Sequence, residues 1–433
     1  MPYAGPILRI VHIITRLILG GAQENTLITC KELARRGHEV TLITGPAIGP
    51  EGELFEQTKG QKYKVIVINE LRRAIEPVKD FISYRKIKRY LHELQPDIVH
   101  THSAKAGILG RFAAHSIRRA KDEGQRAKDE GRRAKDEERR AKDEGRGMRD
   151  EGRNLKPKIV HTIHGLAFHP YQSEWINKFY IAIEKAAAKR TDFFISVADA
   201  MTNQALAAGI GRPEQYVTAY SAVEEEDFLG PISQDKKREF RRKYGVAIDA
   251  IVLVTIARLF MLKGQGYIIE SAKVLSKRFA NIVWLFVGDG NLAGHYKEQV
   301  RQLGLADRIK FTGLLPTSQI PLAIQSSDIL VHCSLREGLA RTLPQAMLCG
   351  VPVVSFDVDG AREVVNEKTG RLVEPKNVEQ LTAACAELIE NKSLRERLGK
   401  SGREFVKEKF APGVMVDKIE EVYKILPAGH DTL

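Results

Sequence analysis

Cationic side chains follow a buried apolar run in the second half of the chain. The run ends in Ile256-Ala257-Arg258-Leu259, and Lys263-Gly264 follows shortly after it. Ligands of α/β sheets bind outside the carboxyl ends of the strands, so Arg258 and Lys263 can turn towards the same pair of phosphates. The alternative is that both cations form ordinary surface salt bridges.

A second candidate segment runs from Ser334 to Met347, between two more apolar runs. We predict a loop that carries Glu337 and then enters a helix. Gly338 and Leu339 can offer free backbone N–H groups to phosphate oxygens there. Gln345 comes slightly more than two helical turns after Glu337, so we expect the two side chains on roughly the same helix face.

The first apolar run leads into Gly20-Gly21, at the predicted start of a helix. Adjacent glycines let a backbone approach a ligand closely, and a helix N-terminus favours an anion. The segment lacks the lysine of a P-loop and the GxGxxG of a dinucleotide site. A plain tight turn explains the glycines equally well.

Two patterns raise the question of a metal. Asp357-Val358-Asp359 has the spacing of a metal-binding carboxylate pair, and His100, His102, His161 and His164 cluster at two predicted strand ends. Histidine nitrogens are common zinc ligands. Both patterns stay open at this point, since strand-end residues also have structural roles.

These residues must be positioned by alternating strands and helices. Nearly continuous Val, Ile, Leu and Phe runs indicate strands buried on both faces of a parallel sheet, and helical segments such as 22–36 and 266–278 separate them. We predict an α/β protein with two doubly wound, Rossmann-like parallel sheets that face each other across a cleft. The predicted strands are 7–15, 40–44, 64–68, 98–101, 159–164, 193–197, 251–257, 282–287, 309–312, 329–332 and 352–356.

Composition narrows the class of protein. The 433 residues suffice for two or three domains, and a hydrophobic content of 43% is enough for full cores. The four cysteines have no regular spacing, which excludes a disulfide scaffold and suits a reducing cytoplasm. We find no apolar run long enough for a membrane span and no signal-peptide pattern, so we expect a cytoplasmic protein. The net charge of +13 favours anionic partners without naming one.

Residues 118–153 form a charged heptad repeat, exemplified by RRAKDEG. Only alanine occupies an apolar position, so a coiled coil is excluded. Its ends should lie close together, because it joins a helix predicted to end near His115 to the strand at Ile159. We therefore predict a helical hairpin broken near a glycine or a mobile loop. A solvated insertion and a partner-binding or membrane-surface arm both remain open, and the basic helix 72–89 could likewise face solvent or anionic lipid.

Taken in order, the motifs resemble the retaining nucleotide-sugar glycosyltransferases of family 4, which have the GT-B fold and include capsule and lipopolysaccharide enzymes. The resemblance covers nearly the whole chain apart from the heptad insertion. It is carried by GGAQENT near the start, DIVHTHSAKAG at 97–107, HTIHG at 161–165, IARLFMLKG at 256–264, LFVGDG at 285–290, SLREGLARTLPQAMLCGVPVV at 334–354 and GRLVEP at 370–375.

The resemblance implies two domains and a final helix. The acceptor-side domain would be 1–225 and the nucleotide-sugar domain 226–412. The final helix, at 413–433, would cross back onto the first domain. Arg258 and Lys263 would bind the donor diphosphate, with the N–H groups of Gly338, Leu339 and Ala340. Glu337 would contact the donor sugar and His164 would lie near it. Gly20 and Gly21 would border the donor phosphates, and His102 and Ser103 would lie on the acceptor side.

The resemblance also implies metal independence and no cofactor. The partners would be a nucleotide-sugar donor, by default a UDP-sugar, and a saccharide or lipid-linked acceptor. Nucleic acid is not expected, and peripheral contact with the anionic inner face of the plasma membrane stays open. The family's second glutamate, which usually holds the ribose, is Gln345 here, so we expect weaker ribose binding. A UDP-sugar epimerase on the same fold and an inactive or basic binding protein are the alternatives.

Overall fold

A computed structural model describes residues 6–48, 52–139 and 156–425, with side chains left out between 124 and 139. The chain forms two compact units. Unit 1 contains the described residues up to Ser196, the segment Thr202–Ala219 and the chain from Val416 onwards. Unit 2 contains Val197–Met201 and Tyr220–Met415.

Unit 1 is built on one parallel sheet with the strand order β3-β2-β1-β4-β5-β6-β7. Its strands are β1 (Arg9–Ile14), β2 (Glu39–Thr44), β3 (Lys64–Val67), β4 (Ile98–His102), β5 (Lys158–Ile163), β6 (Phe193–Ser196) and β7 (Tyr216–Thr218). Its helices are α1 (Gly21–Arg35), α2 (Pro77–Leu94), α3 (Ala104–Arg139), α4 (Glu174–Ala188) and most of α5 (Asp199–Ala207).

Local sequence explains how these elements begin and end. Pro77 starts α2, where its missing N–H costs nothing, and Gln95 ends it in the left-handed conformation. Ser83, Ile87 and Leu91 recur every fourth residue and form the buried face of the helix. The strands β1, β4 and β5 at the middle of the sheet are almost completely buried, including the histidines and threonines that interrupt their apolar residues.

Unit 2 is built on a second parallel sheet with the order β10-β9-β8-β11-β12-β13. Its strands are β8 (Ile251–Ile256), β9 (Ile282–Val287), β10 (Ile309–Gly313), β11 (Ile329–His332), β12 (Val353–Phe356) and β13 (Gly370–Val373). Its helices are α6 (Glu225–Leu229), α7 (Gln234–Lys243), α8 (Gln265–Arg278), α9 (Ala293–Gln302), α10 (Ile320–Gln325), α11 (Thr342–Leu348), α12 (Val378–Glu390), α13 (Lys392–Lys409) and the start of α14 (Pro412–Ile425).

The prediction of two doubly wound parallel sheets is confirmed. One edge strand of each sheet, β7 and β13, was not predicted, whereas β3 and β10 at the opposite edges were. The two missed strands are short, with three and four residues, and half-buried in part. An edge strand has one neighbour, so its sequence does not need the long apolar run that marks a central strand.

The prediction that a helix ends near His115, before the heptad insertion, was wrong. No helix ends near His115, because α3 continues through the first heptads to Arg139 and passes two glycines without a break. Its start is anchored on unit 1: Arg118 pairs with Asp192 at 2.8 Å, and Asp122 pairs with Lys156 at 2.6 Å. A break at Gly124 or Gly131 is not found. Residues 140–155 lie outside the described residues, so the hairpin itself stays a prediction.

The last helix, α14, belongs to unit 1 from Val416 onwards. Glu420 accepts a hydrogen bond from Arg36 at 2.9 Å and lies 3.1 Å from His38 Nε2. Tyr423 is buried against His100, with its hydroxyl 2.6 Å from the ring Nδ1. In the described residues, no helix is both long enough and apolar enough to cross a membrane.

Candidate functional site

In unit 2, Lys263 and Glu337 form an ion pair beside the carboxyl ends of β8 and β11. Lys263 closes a short 3-10 turn after β8, and Glu337 lies in the loop after β11. His332, the last residue of β11, places its Nε2 atom 3.3 Å from the same oxygen of Glu337. Each of the paired side chains keeps about one fifth of its surface exposed, at 20% and 19%.

The environment keeps Glu337 ionised. Burial alone would raise the pKa of its carboxyl, but the charge of Lys263 and the neighbouring His332 outweigh burial. The pKa of Glu337 therefore lies far below its usual range. The pair thus presents a fixed carboxylate and a fixed ammonium group at the edge of the sheet.

The turn that carries Lys263 depends on Gly264. This residue has a φ of +73°, and a Cβ atom there would overlap the carbonyl oxygen of Cys333 at the end of β11. The close approach of the two loops brings Lys263 next to Glu337. Gly264 ends the sequence motif 256–264, but only the structure shows that it is the point of contact between the two loops.

The loop after Glu337 offers hydrogen-bond donors. Glu337 donates its own amide N–H to the Asp359 carboxylate at 2.7 Å, which fixes the loop. Among the described residues, the N–H groups of Gly338, Leu339 and Ala340 donate to no other group of the chain. These three donors and the Lys263 ammonium are the groups that an anionic ligand such as a diphosphate needs.

Arg258 and Gln345 are the other residues of unit 2 that were predicted to bind the nucleotide-sugar donor. Arg258 is exposed in the loop after β8, with its guanidinium 4.9 Å from the centre of the Phe260 ring. Gln345 lies half-buried in α11. Because α11 begins only at Thr342, Glu337 is not on this helix, and the expectation of a shared helix face was wrong.

In unit 1, Gly20 and Gly21 lie where predicted, at the start of α1. The Gly20 carbonyl accepts the N–H of Glu24 at 3.0 Å, which closes the first helical turn. Gly20 has an extended backbone that any residue could adopt, so its φ does not require glycine. Gly21 is exposed.

Ser103 follows β4 directly and starts α3. Its φ is +60°, and its hydroxyl lies 3.0 Å from that of Thr15. The carbonyl of Ser103 accepts the N–H of Gly107 in the first turn of α3. A non-glycine residue in this conformation is uncommon, and such positions concentrate at functional sites.

Histidines line one face of the central strands of unit 1. His102 at the end of β4 lies 3.0 Å from His164 just beyond β5, measured between His102 Nδ1 and His164 Nε2. The other ring nitrogen of His102 lies 2.8 Å from Nδ1 of His12 on β1. His100 contacts Tyr423 and Thr162, each at 2.6 Å.

Burial decides the charge of these rings. It lowers the pKa of His12 to about 3 and the pKa values of His100 and His102 well below the usual value of 6.5. The neighbouring histidines add to the effect on His100 and His102 by charge repulsion. The three rings are therefore neutral at physiological pH.

The histidines proposed as zinc ligands do not form one cluster. His161 points to the other face of β5, where it contacts Thr101 at 2.9 Å and packs against Gly107 of α3. The group with metal-like spacing among the described residues is His12, His100 and His102, whose ring nitrogens lie within 4.8 Å of one another.

The carboxylates of the predicted DxD pair both have partners within unit 2. Asp357 forms a bidentate ion pair with Arg362, at 2.6 and 3.0 Å. Asp359 accepts the Glu337 N–H and has a positive φ of 48°. Their roles in the structure are to fix the loops beside Glu337.

Sequence reasoning missed two residues, His12 and His332. Both lie within or at the end of apolar runs that were assigned as strands. The signal was present for His12, because β1 and β4 are neighbours in a doubly wound sheet and His12 pairs directly with His100. Alternation along β4 then places His102 on the same face.

Comparison with known proteins agrees with this geometry. Residues 236–405 match the family described as Glycosyl transferases group 1, and residues 19–121 match Glycosyltransferase Family 4. An uncharacterised glycosyltransferase of Methanocaldococcus jannaschii is 30% identical over 285 residues, which are 63% of this chain and 69% of that protein.

An Escherichia coli relative is 25% identical and covers 96% of both chains. It is named UDP-Gal:alpha-D-GlcNAc-diphosphoundecaprenol alpha-1,3-galactosyltransferase. The crystal structure of Anabaena HepE in complex with UDP has a TM-score of 0.74 and 20% identity, and covers 97% of this chain and 100% of that chain. WaaG, a glycosyltransferase involved in lipopolysaccharide biosynthesis, has a TM-score of 0.67 and 16% identity over 97% of this chain and 100% of its own.

The two parallel sheets and the sequence matches in both units thus point to one family. The chain belongs to the group 1, family 4 glycosyltransferases and has the GT-B fold.

Proposed function

We propose that this glycosyltransferase moves a hexosyl or N-acetylhexosaminyl group from a UDP-sugar to a saccharide or lipid-linked acceptor, with retention of anomeric configuration. The main support for a nucleotide-sugar site here is the Lys263–Glu337 ion pair, which lies beside three backbone N–H groups. UDP in the similar HepE structure and the UDP-Gal in the E. coli relative's name support the choice of base. The diphosphoundecaprenol in that name supports a lipid-linked acceptor for surface polysaccharide or glycoconjugate synthesis.

The proposed chemistry is stabilisation of a departing diphosphate. As the bond between the sugar and the phosphate breaks, negative charge collects on the nucleotide and the sugar gains oxocarbenium character. Lys263 and Arg258 supply positive charge, and the amides of Gly338, Leu339 and Ala340 supply hydrogen bonds in fixed positions. These groups do the work that a divalent cation does in metal-dependent transferases, so we propose a metal-independent reaction.

The neighbouring groups hold the sugar and the nucleoside. Glu337 has a second carboxylate oxygen beyond the one bound by Lys263, and this oxygen would accept hydrogen bonds from hydroxyl groups of the donor sugar. Gln345 would accept a hydrogen bond from a ribose hydroxyl. In unit 1, His164 would face the transferring sugar, Gly20 and Gly21 would border the phosphates, and His102 and Ser103 would lie on the acceptor side.

We also propose peripheral contact with anionic lipid at the cytoplasmic face of the plasma membrane. Exposed apolar side chains lie near the starts of α2 and α4: Ile75, Val78, Phe81, Trp175 and Phe179, each at least half exposed. Both helices follow strands of one parallel sheet, so both starts lie at its carboxyl edge. The exposed Arg72 and Arg73 flank the apolar side chains and would attract anionic head groups.

Vesicle binding tests this contact. Trp175 is 71% exposed and Trp284 is 2% exposed, so a blue shift of tryptophan fluorescence with vesicles reports on Trp175. We expect the shift with vesicles that contain phosphatidylglycerol and a much smaller one with pure phosphatidylcholine. Phe81→Ser should weaken binding, whereas the exposed Val274→Ser on α8 of unit 2 serves as the control. Equal binding of both lipids would contradict the proposal.

Ligand-dependent thermal stability tests the donor site. A nucleotide at about 100 times its dissociation constant adds about 2.7 kcal/mol to the free energy of unfolding. We expect UDP and one UDP-sugar to raise the melting temperature more than GDP or ADP does. Lys263→Ala should abolish the rise, and Lys273→Ala on the exposed side of α8 should preserve it.

A rise that survives in Lys263→Ala would place the nucleotide elsewhere and contradict the proposed site. Retention is read separately, from the anomeric coupling constant of the product by NMR. Transfer that continues after dialysis against EDTA would support the metal-independent reaction, and transfer restored only by a divalent cation would refute it.

A further inference from the structure

Three histidines of unit 1 form a continuous chain from the centre of the sheet to its carboxyl edge. His12 Nδ1 lies 2.8 Å from His102 Nε2, and His102 Nδ1 lies 3.0 Å from His164 Nε2. His12 is 0% exposed and His102 is 1% exposed, whereas His164 is half-buried. The chain therefore starts in the dry core and ends at the residue that resemblance places beside the sugar.

The direction of the hydrogen bonds follows from the buried end. The Nε2 atom of His12 is buried and has no hydrogen-bond partner in the described structure. A neutral histidine carries one N–H, and leaving that donor buried and unbonded is costly. His12 therefore carries its proton on Nδ1 and donates to Nε2 of His102.

The same reasoning applies to the next histidine in the hydrogen-bonded row. His102 accepts at Nε2, so its single proton is on Nδ1 and is donated to Nε2 of His164. When neutral, His164 then carries its own proton on Nδ1. Burial lowers the pKa values of His12 and His102, so neither ring gains a second proton at physiological pH that would break this order.

A metal ion is a weaker explanation of the cluster. His12 Nδ1 and His102 Nε2 already bond to each other, and both nitrogens of His100 have partners in Tyr423 and Thr162. A metal bound by these three rings would have to replace at least two of these contacts. Hydrogen bonds to protein groups account for every ring nitrogen of these three histidines except Nε2 of His12.

We propose that His102, supported by His12, is a positioning residue that fixes the ring orientation and the Nδ1–H tautomer of His164. The catalytic part of this inference rests on the proposed function, which places His164 at the transferring sugar; the hydrogen-bonded chain itself does not. Because Nε2 of His164 accepts from His102, the fixed tautomer leaves Nδ1–H as the one ring donor of His164 and no ring acceptor. Under the proposed function, a ring held in this tautomer can contact the sugar as a hydrogen-bond donor and not as an acceptor.

Ring nitrogen NMR tests the tautomer without any substrate. The protein is labelled with 15N-histidine, and the His164 signals are assigned by their loss in His164→Asn. We expect the wild-type ring to show a protonated Nδ1 and an unprotonated Nε2 above pH 7. In His102→Gln, whose longer side chain reaches His12 but not His164, this preference should disappear.

His102→Asn is the matched variant. Its shorter amide can occupy the position of the Nδ1–H of His102 and still donate to His164, so the tautomer should survive. An Nε2–H tautomer in the wild type, or the same His164 spectrum in His102→Gln as in the wild type, would overturn the proposal. Because no turnover is needed, this result stands even if the protein proves to have another function.

Kinetics then test the consequence for transfer. We expect His102→Gln to lower kcat by about tenfold to a hundredfold, the range seen for partners that orient metal-binding histidines, with the donor KM nearly unchanged. His102→Asn should recover most of that loss. Equal losses in the two variants, with melting temperatures and UDP stabilisation equal to the wild type, would show that His102 is not a positioning residue.

Discussion

The carboxyl edges of the two sheets use opposite chemistry. In unit 1, neutral histidines lie within β1 at His12 and at the end of β4 at His102, and the two rings are bonded to each other. In unit 2, β8 and β11 lead into loops with an ionised pair, Lys263 and Glu337. Both sheets have the same doubly wound construction, so the fold does not dictate this difference.

Depth of burial explains it. His12, His100 and His102 are buried within the strands themselves, where a charge would lose its hydration without gaining a counter-ion. Lys263 and Glu337 lie beyond the strand ends, keep one fifth of their surface exposed and neutralise each other. Two sheets of the same construction can therefore hold neutral histidines within their strands and an ion pair just beyond their strand ends.

The largest expected effect is a selective loss of unit 1 in mild acid. The folded-state pKa values of His12, His100, His102 and His161 lie below the ordinary value of 6.5. The unfolded chain therefore binds more protons below pH 6.5, and stability falls with pH by about 1.4 kcal/mol per pH unit for each neutral histidine. At pH 5 the loss is about 2 kcal/mol for His12 alone.

The Lys263–Glu337 pair loses its contribution only at lower pH. The pKa of Glu337 is depressed, so the stability it adds is complete above the ordinary carboxyl value of 4.5 and declines below it. We expect urea unfolding at pH 5 to show an early transition by far-UV circular dichroism and a later one by Trp284 fluorescence, measured in Trp175→Phe. Coincident transitions at pH 7.5 and at pH 5 would contradict the comparison.

The second effect concerns the loop that creates the charged pair. Gly264→Ala puts a Cβ atom against the Cys333 carbonyl at a positive φ, and we expect it to cost about 3 kcal/mol and to abolish UDP stabilisation. Gly266→Ala, two residues later, is the matched control. It meets open space in helix α8, so it should raise the melting temperature slightly. Similar melting curves for the two variants would show that the close approach of the loops is unimportant.

The smallest effect is at the position where the chain departs from its family. Gln345→Glu should tighten UDP binding by about tenfold or less, because a charge-assisted bond to a ribose hydroxyl is about twice as strong as a neutral one. The affinities for UMP and uridine should increase by a similar factor, because both contain the same ribose. Isothermal titration calorimetry measures all three, and unchanged affinities would remove Gln345 from the ribose site.

The sequence was most informative where one residue pattern had one structural solution. Continuous apolar runs predicted eleven strands, and the central strands β1, β8 and β9 lie where expected. The edge strands β7 and β13 were missed because pairing on one side needs little hydrophobicity. The continuation of α3 to Arg139 was missed because helix-weakening glycines argued against it. Its anchors, Asp192 and Lys156, come from distant parts of the chain.

The sequence alone was enough to predict the fold class, the family and the residue types of the proposed donor site, because those depend on patterns that neighbouring residues carry. Tertiary structure decided which of those residues meet. The pairing of β1 with β4 brings His12 to His102, and the contact of Gly264 with β11 brings Lys263 to Glu337. Charge and tautomer depend on burial and on partners that are distant in sequence, and only the folded chain supplies them.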